Sequence, residues 1–353
     1  MTDPLRIAQV APVATSVPPP LSGSIESLTS LLTDGLVDAG HQVTLFATAE
    51  SRTRASLHAT FAHGYREDPQ NWPWELCEMI NVSAAIERAA SFDVIHYQAK
   101  YHPFALPFAR LAGIPVIITL HHAPNEDEVA LWRRYYADTP FTAISQAQAR
   151  SMTGLNVAGV VPHAIDVAAF PFTAVPRDYL VFLGRFTEGK GVLQAIEVAR
   201  RADMPIVLAA ESNDYYQEKV APLVDGTRVV YAGEVADAAK AALLGGARAL
   251  IYPVQAGEPF GLVLAEATTC GTPVAALDRG AVSEVVDDGV TGGVFATLDD
   301  LVAGLPGVLA LDRARVRAVA AERFSVSRMV AGYETVYRAL ARRVAASPRA
   351  ATR

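Results

Sequence analysis

Short apolar runs alternate with longer stretches in which apolar residues recur every three or four positions. Residues 5–10 read as a buried strand. Ile25, Leu28, Leu31, Leu32 and Leu36 then follow helical spacing, and Gly40 supplies a stop. Residues 43–47 return to strand, and further strands are expected at 93–97, 116–120, 141–144 and 157–161, with helical segments between them. Strands rich in Val and Ile, separated by helices, predict a parallel sheet covered on both faces.

The alternation then breaks and restarts. Residues 179–183 read as strand and 192–202 as helix, with further strands at 206–209, 229–231, 249–252 and 273–276. Between the two series, residues 165–178 carry Pro171, Pro176 and few periodic apolar positions, which reads as a linker. The expected organisation is an α/β chain with a Rossmann-like domain over 1–170 and a second over 171–326. A last helix, from Ser327 to about Val344, opens the closing segment 327–353, whose small, basic tail from 345 is expected to fray. Two open sheets of this kind bind ligands outside their strand carboxyl ends, and the two are expected to share one cleft. Chemistry is therefore sought just after strands.

Composition sharpens this picture. At about 100–200 residues per domain, 353 residues suit two domains. The net charge of −7 opposes a nucleic-acid role, which needs a basic face. The first 175 residues hold 10 Lys and Arg against 16 Asp and Glu, so that half contributes −6, the wrong sign for docking on anionic lipid. Membrane association is not expected. Cys77 and Cys270 are far apart and in no metal spacing, which fits a reducing compartment. Neither a signal peptide nor a run of the ~18–20 apolar residues needed to span a bilayer is found, so the cytoplasm is expected. Oligomeric state is left open.

Two motifs carry chemistry. Gly257-Glu258-Pro259-Phe260-Gly261-Leu262-Val263-Leu264-Ala265-Glu266 follows a strand and opens a helix. Gly261 lets the backbone approach a ligand, and the free amides of the first turn suit an anion. Glu258 and Glu266 can each accept two hydroxyl hydrogens, as a sugar diol requires. Gly184-Arg185-Phe186-Thr187-Glu188-Gly189-Lys190-Gly191 also lies between strand and helix. Its two cations can reach a diphosphate, Arg as a planar fork and Lys as a mobile point charge. It is not a Walker A loop, because no Ser or Thr follows the Lys. A lone Glu reads as a surface acid, and Arg185 and Lys190 alone read as solvated charge; the paired glutamates, and the two motifs together, point to a sugar diphosphate.

A Glu, seven residues and a second Glu, with Gly-Arg-four residues-Lys-Gly upstream, resembles the retaining glycosyltransferases of family 4, which have the GT-B fold. The likeness extends to residues 18–26, the Gly-rich loop before the first helix, where Gly23-Ser24 stands for two adjacent glycines. It extends also to Gly40-His41-Gln42-Val43-Thr44, to 267–275, to 280–289 with Glu284, and to Tyr333-Glu334-Thr335-Val336-Tyr337-Arg338, which resembles the helix crossing back to the first domain. His163-Ala164 departs from the family's Asn-Gly.

The resemblance implies a metal-independent hexosyltransferase that transfers a sugar with retention from a nucleoside-diphosphate sugar, UDP-sugar ahead of GDP-sugar, to a hydroxyl acceptor. The acceptor would sit on the first domain and the donor on the second. It implies catalytic roles for His121, Arg185, Lys190 and Glu258, and donor contacts from Gly23, Gly233, Glu234, Phe260, Gly261, Leu262 and Glu266. His121 would lie beside the reacting sugar, the turn at Gly233-Glu234 beside the base, and no cofactor or metal is needed. His122 points elsewhere and His96 reads as structural. Trp72, Trp74, Tyr101, His102 and Phe104 are read first as half-buried packing and second as an acceptor pocket. A phosphorylase or epimerase on the same fold, and a sugar-nucleotide-binding module without turnover, remain open alternatives.

Overall fold

The computed structural model describes residues 3–20, 23–68, 70–100 and 102–346. Leu21, Ser22, Tyr101 and the tail from 347, each named above, lie outside the described residues. The chain forms two compact units: residues 1–164 with 326–353, and residues 165–325.

The first unit is built on a seven-stranded sheet in the order β3-β2-β1-β4-β5-β6-β7, every pair parallel. Its strands are β1 (Arg6–Val10), β2 (Gln42–Thr48), β3 (Ser56–Phe61), β4 (Val94–Ala99), β5 (Val116–Leu120), β6 (Pro140–Ala143) and β7 (Asn156–Val160). The central strands are buried on both faces, as their unbroken Val, Ile and Leu content requires. One face packs against the helix Trp74–Ile86, the other against Ser24–Asp38 and the last helix, Val326–Ala346. That last helix belongs to the first unit because Tyr333 and Tyr337 are buried in its core.

The second unit has a six-stranded parallel sheet in the order β10-β9-β8-β11-β12-β13. Its strands are β8 (Leu180–Leu183), β9 (Ile206–Ala209), β10 (Val229–Tyr231), β11 (Ala249–Tyr252), β12 (Val274–Leu277) and β13 (Gly292–Phe295). Strand order reverses beside β1 in the first sheet, between β1 and β4, and beside β8 in the second, between β8 and β11. Those reversals are where doubly wound sheets open a crevice.

Three features differ from the sequence expectations. β3 is an edge strand with exposed and half-exposed residues, so no apolar run marked it. β13 opens on two glycines and has little strand signature of its own. The segment from 165 is stitched to the second unit rather than hanging free. Ile165 N–H donates to the Phe324 carbonyl, Arg317 to the Phe170 carbonyl at 2.6 Å, and Arg313 to the Thr173 carbonyl at 2.8 Å. Proline content suggested a linker there, but arginines from a distant helix satisfy its carbonyls. The two compact units accordingly divide at 164/165.

Candidate active site

The Arg185–Lys190 loop leaves the carboxyl end of β8, and the Glu258 loop leaves that of β11, so both flank the reversal in the second sheet. The two loops are tied together: Gln255 N–H donates to the Gly189 carbonyl at 2.9 Å. Gly191 has φ +76, and a Cβ there would stand 2.0 Å from the Pro253 carbonyl oxygen. Only glycine allows that approach.

Lys190 Nζ donates to Glu258 Oε2 at 2.6 Å and to the Tyr252 hydroxyl at 3.1 Å, while the Tyr252 hydroxyl donates to Glu258 Oε2. Burial and the neighbouring Glu258 carboxylate hold the Tyr252 phenol well above its usual pKa, so it stays a donor. Glu258 itself is clamped by Gly280, whose positive φ lets its backbone lie against it, and the Glu258 carbonyl accepts from Ala281 N–H at 2.8 Å. Arg185 is exposed and makes no hydrogen bond or ion pair among the described residues. Gly261 caps the helix Leu262–Thr269 at φ +86, leaving that helix without a side-chain N-cap. Phe260 is buried edge-to-face on Phe324, 6.1 Å between centroids, so at this position the backbone faces the loop and the ring is core.

Glu266, in the second turn of that helix, pairs with Lys240 at 2.6 Å. The Gly233-Glu234 turn follows β10, with Gly233 at φ +77 and Glu234 exposed. Tyr231, just before it, belongs to an aromatic group with Tyr216 and Phe186.

In the first unit, His121 follows β5. Its Nε2–H donates to Gln98 Oε1 at 2.9 Å, and its ring stacks on His163 at 5.2 Å and 15°. Nδ1 is buried without a hydrogen-bond partner. Burial, then the neighbouring histidines, push its pKa well below the ordinary value, so the imidazole is neutral. Gln98 continues into a buried chain: its Nε2 donates to Gln9 Oε1, and Gln9 Nε2 to the Tyr337 hydroxyl at 2.9 Å. His96 joins Tyr337 at 2.6 Å and Thr119 at 2.7 Å, which gives it the structural place expected of it. The last helix thus braces His121 through buried polar contacts. Gly23 stands before the helix Ser24–Asp38 with extended backbone.

Nine of the expected residues therefore fall in the second unit and two, Gly23 and His121, in the first. Lys190 and Glu258 are one ion pair, where the sequence suggested separate jobs. Tyr252, Lys240 and Gln98, which contact the expected residues, were not singled out from the sequence. Tyr252 had a signal, because it ends a strand at the sheet reversal; Lys240 and Gln98 had none, since their importance lies in their partners. Among the described residues, no group of three or more His, Cys, Asp or Glu is arranged to hold a metal, and no helix is long and apolar enough to cross a membrane. Cys77 and Cys270 are buried free thiols.

Residues 171–323 match the family model described as glycosyl transferases group 1, and residues 25–169 the model described as glycosyltransferase family 4. A phosphatidyl-myo-inositol mannosyltransferase of Mycolicibacterium smegmatis is 29% identical, over 90% of this chain and 88% of its own. A glycogen synthase of Mycobacterium tuberculosis is 27% identical, over 83% of each chain. Among solved structures, AviGT4, a glycosyltransferase involved in avilamycin A biosynthesis, superposes with a TM-score of 0.72 at 24% identity, covering 96% of this chain and 98% of that one.

Proposed function

The chain belongs to the family 4 glycosyltransferases of GT-B fold, and from that premise we propose that it moves a sugar from a nucleoside-diphosphate donor to a hydroxyl acceptor with retention. One observation supports this most: a cation, Arg185, and a cation–carboxylate–phenol cluster, Lys190–Glu258–Tyr252, flank the sheet reversal beside a helix start with free amides.

In the proposed reaction the bond from the anomeric carbon to the leaving diphosphate breaks, and a bond from that carbon to the acceptor oxygen forms on the same face. The acceptor proton passes to a diphosphate oxygen. Positive charge grows at the sugar and negative charge on the diphosphate. Arg185, Lys190 and the amides at Gly261 and Leu262 would stabilise the second. Glu258, held by Lys190 and Tyr252, would accept donor-sugar hydroxyl hydrogens, Glu266 those of the ribose, and the Gly233-Glu234 turn would meet the base. A neutral His121 suits a hydrogen-bonding role at the sugar better than that of a cation.

The test is titration of the full chain with UDP, which the family resemblance placed first, with GDP, and with their sugars. One diphosphate should bind and its sugar should turn over. Activity should persist in excess chelator, because the cations already neutralise the leaving group. Total loss on chelation, restored by magnesium or manganese, would overturn metal independence; no binding of any diphosphate would overturn the donor assignment.

A further inference from the structure

The first unit carries a cavity of about 540 Å³ lined by Trp74, His102, His122, Ala123, Asn125 and Glu128. One of its lining residues, His122, follows His121 in the chain. The two histidines differ in surroundings: His121 bonds Gln98 and stacks on His163, whereas His122 lines the cavity.

One wall is an aromatic platform. Trp74 and His102 stack at 6.2 Å and 18°, and Phe104 closes edge-on against both at 6.0 and 5.7 Å. Aromatic rings together with hydrogen-bonding groups suit a ligand ring that is apolar on its face and hydroxylated at its rim.

Asn125 and Glu128, at the start of the helix Glu126–Tyr136, also line it. A helix start usually favours anions, but here it is already occupied. Asn125 Oδ1 accepts from Glu128 N–H and Glu128 Oε2 accepts from Asn125 N–H, each at 2.9 Å. Glu126, Asp127 and Glu128 place three carboxylates on that first turn, and none of the lining residues is Lys or Arg. A phosphate there would meet like charge and no counter-cation among the lining residues.

Resting on the glycosyltransferase reading, we infer that this cavity is the acceptor subsite and that it takes an uncharged hydroxylated ring, a pyranoside or cyclitol stacked on Trp74, with His122 and Glu128 at its hydroxyls. A phosphate-bearing acceptor is disfavoured. The acceptor class would then differ from the phosphatidyl-myo-inositol in the name of the mycobacterial relatives.

Saturation-transfer NMR on the full chain tests this, with methyl glucoside, methyl mannoside, myo-inositol and the phosphate ester of each as probes. At least one neutral ring should bind, at least 10-fold tighter than its phosphate. Trp74→Ala should abolish that signal and Trp74→Phe retain part of it. Glu128→Gln, which keeps the reciprocal cap, should narrow the gap between neutral and phosphorylated rings at least 3-fold. The inference is overturned if no neutral ring binds, if the phosphate esters bind tighter, or if binding survives Trp74→Ala. Nucleoside-diphosphate affinity is measured on the same samples. Its absence in the parent protein would overturn the donor reading, whereas intact diphosphate binding without ring binding would overturn only the subsite.

Discussion

Lys190 and Glu258 share one charge-assisted contact, so replacing either exposes the other. Breaking a fully buried pair costs ~3–5 kcal/mol; here Lys190 keeps 24% of its side chain exposed and Glu258 8%, which places the cost below that range. Arg185 has no such tie. Arg185→Ala and Lys190→Ala should each lower turnover by roughly 10²–10³, the cost of one oxyanion-type donor. Thermal melting should separate them, with Lys190→Ala lowering Tm and Arg185→Ala leaving it unchanged. Turnover within a few-fold of the parent for both would remove the diphosphate role. His121→Ala should lower transfer strongly and leave diphosphate affinity, read by calorimetry, nearly unchanged, because Arg185, Lys190 and Glu258 all lie in the other unit. Loss of diphosphate affinity in that variant would contradict the placement of His121 at the sugar. These residues were legible because Gly, Arg, Lys and Glu recur at characteristic spacings; their pairing was not, because spacing along a chain does not say which charges meet.

At the scale of elements, the site depends on turns that hold backbones close together. Gly280, at φ +66, lies against Glu258, and a Cβ there would stand 2.3 Å from the Glu258 carbonyl oxygen. Gly289 has a similar φ of +71 but nothing within 4 Å of its would-be Cβ. Both positions carry the cost of a left-handed residue, ~1–2 kcal/mol. Only Gly280→Ala must also displace Glu258, so it should weaken binding of the sugar nucleotide at least 10-fold, whereas Gly289→Ala should leave it within about 2-fold. Equal affinities in the two variants would show that Glu258 does not depend on that clamp. The apolar strands of both sheets were readable from their runs of Val, Ile and Leu. β3 and β13 were not, because an exposed edge strand and a strand opening on glycines owe their pairing to a neighbour.

For the whole molecule, buried titratable groups in the first unit set the pH response. Burial pushes His96 and His163 down to about 3, and holds His121 well below its ordinary value. Folded pKa values below the unfolded ~6.5 mean that their contribution is complete above that pH and is lost as pH falls toward 3. Glu78 runs the other way: burial raises it to about 8 against its Val13 amide contact and Lys100, so its contribution is lost as pH rises from ~4.5 to 8. Three groups oppose one below pH 6.5, and Glu78 acts alone above it. Melting of the first unit should therefore peak near pH 6–7 and fall more steeply on the acid side, as calorimetry between pH 5 and 8 would read. A flat acid limb would mean that these histidines are not buried neutral. What the sequence by itself determined was the class of fold, the repetition of one α/β pattern, and the two glycine–charge motifs, because periodicity and glycine–charge spacing are local properties of a chain. Only the tertiary structure decided that the last helix returns to the first unit, that Lys190, Tyr252 and Glu258 form one cluster, and that a buried polar chain from Tyr337 through Gln9 and Gln98 braces His121. Most of those contacts join residues tens to hundreds of positions apart, and their energies depend on burial and on partners that no local pattern contains.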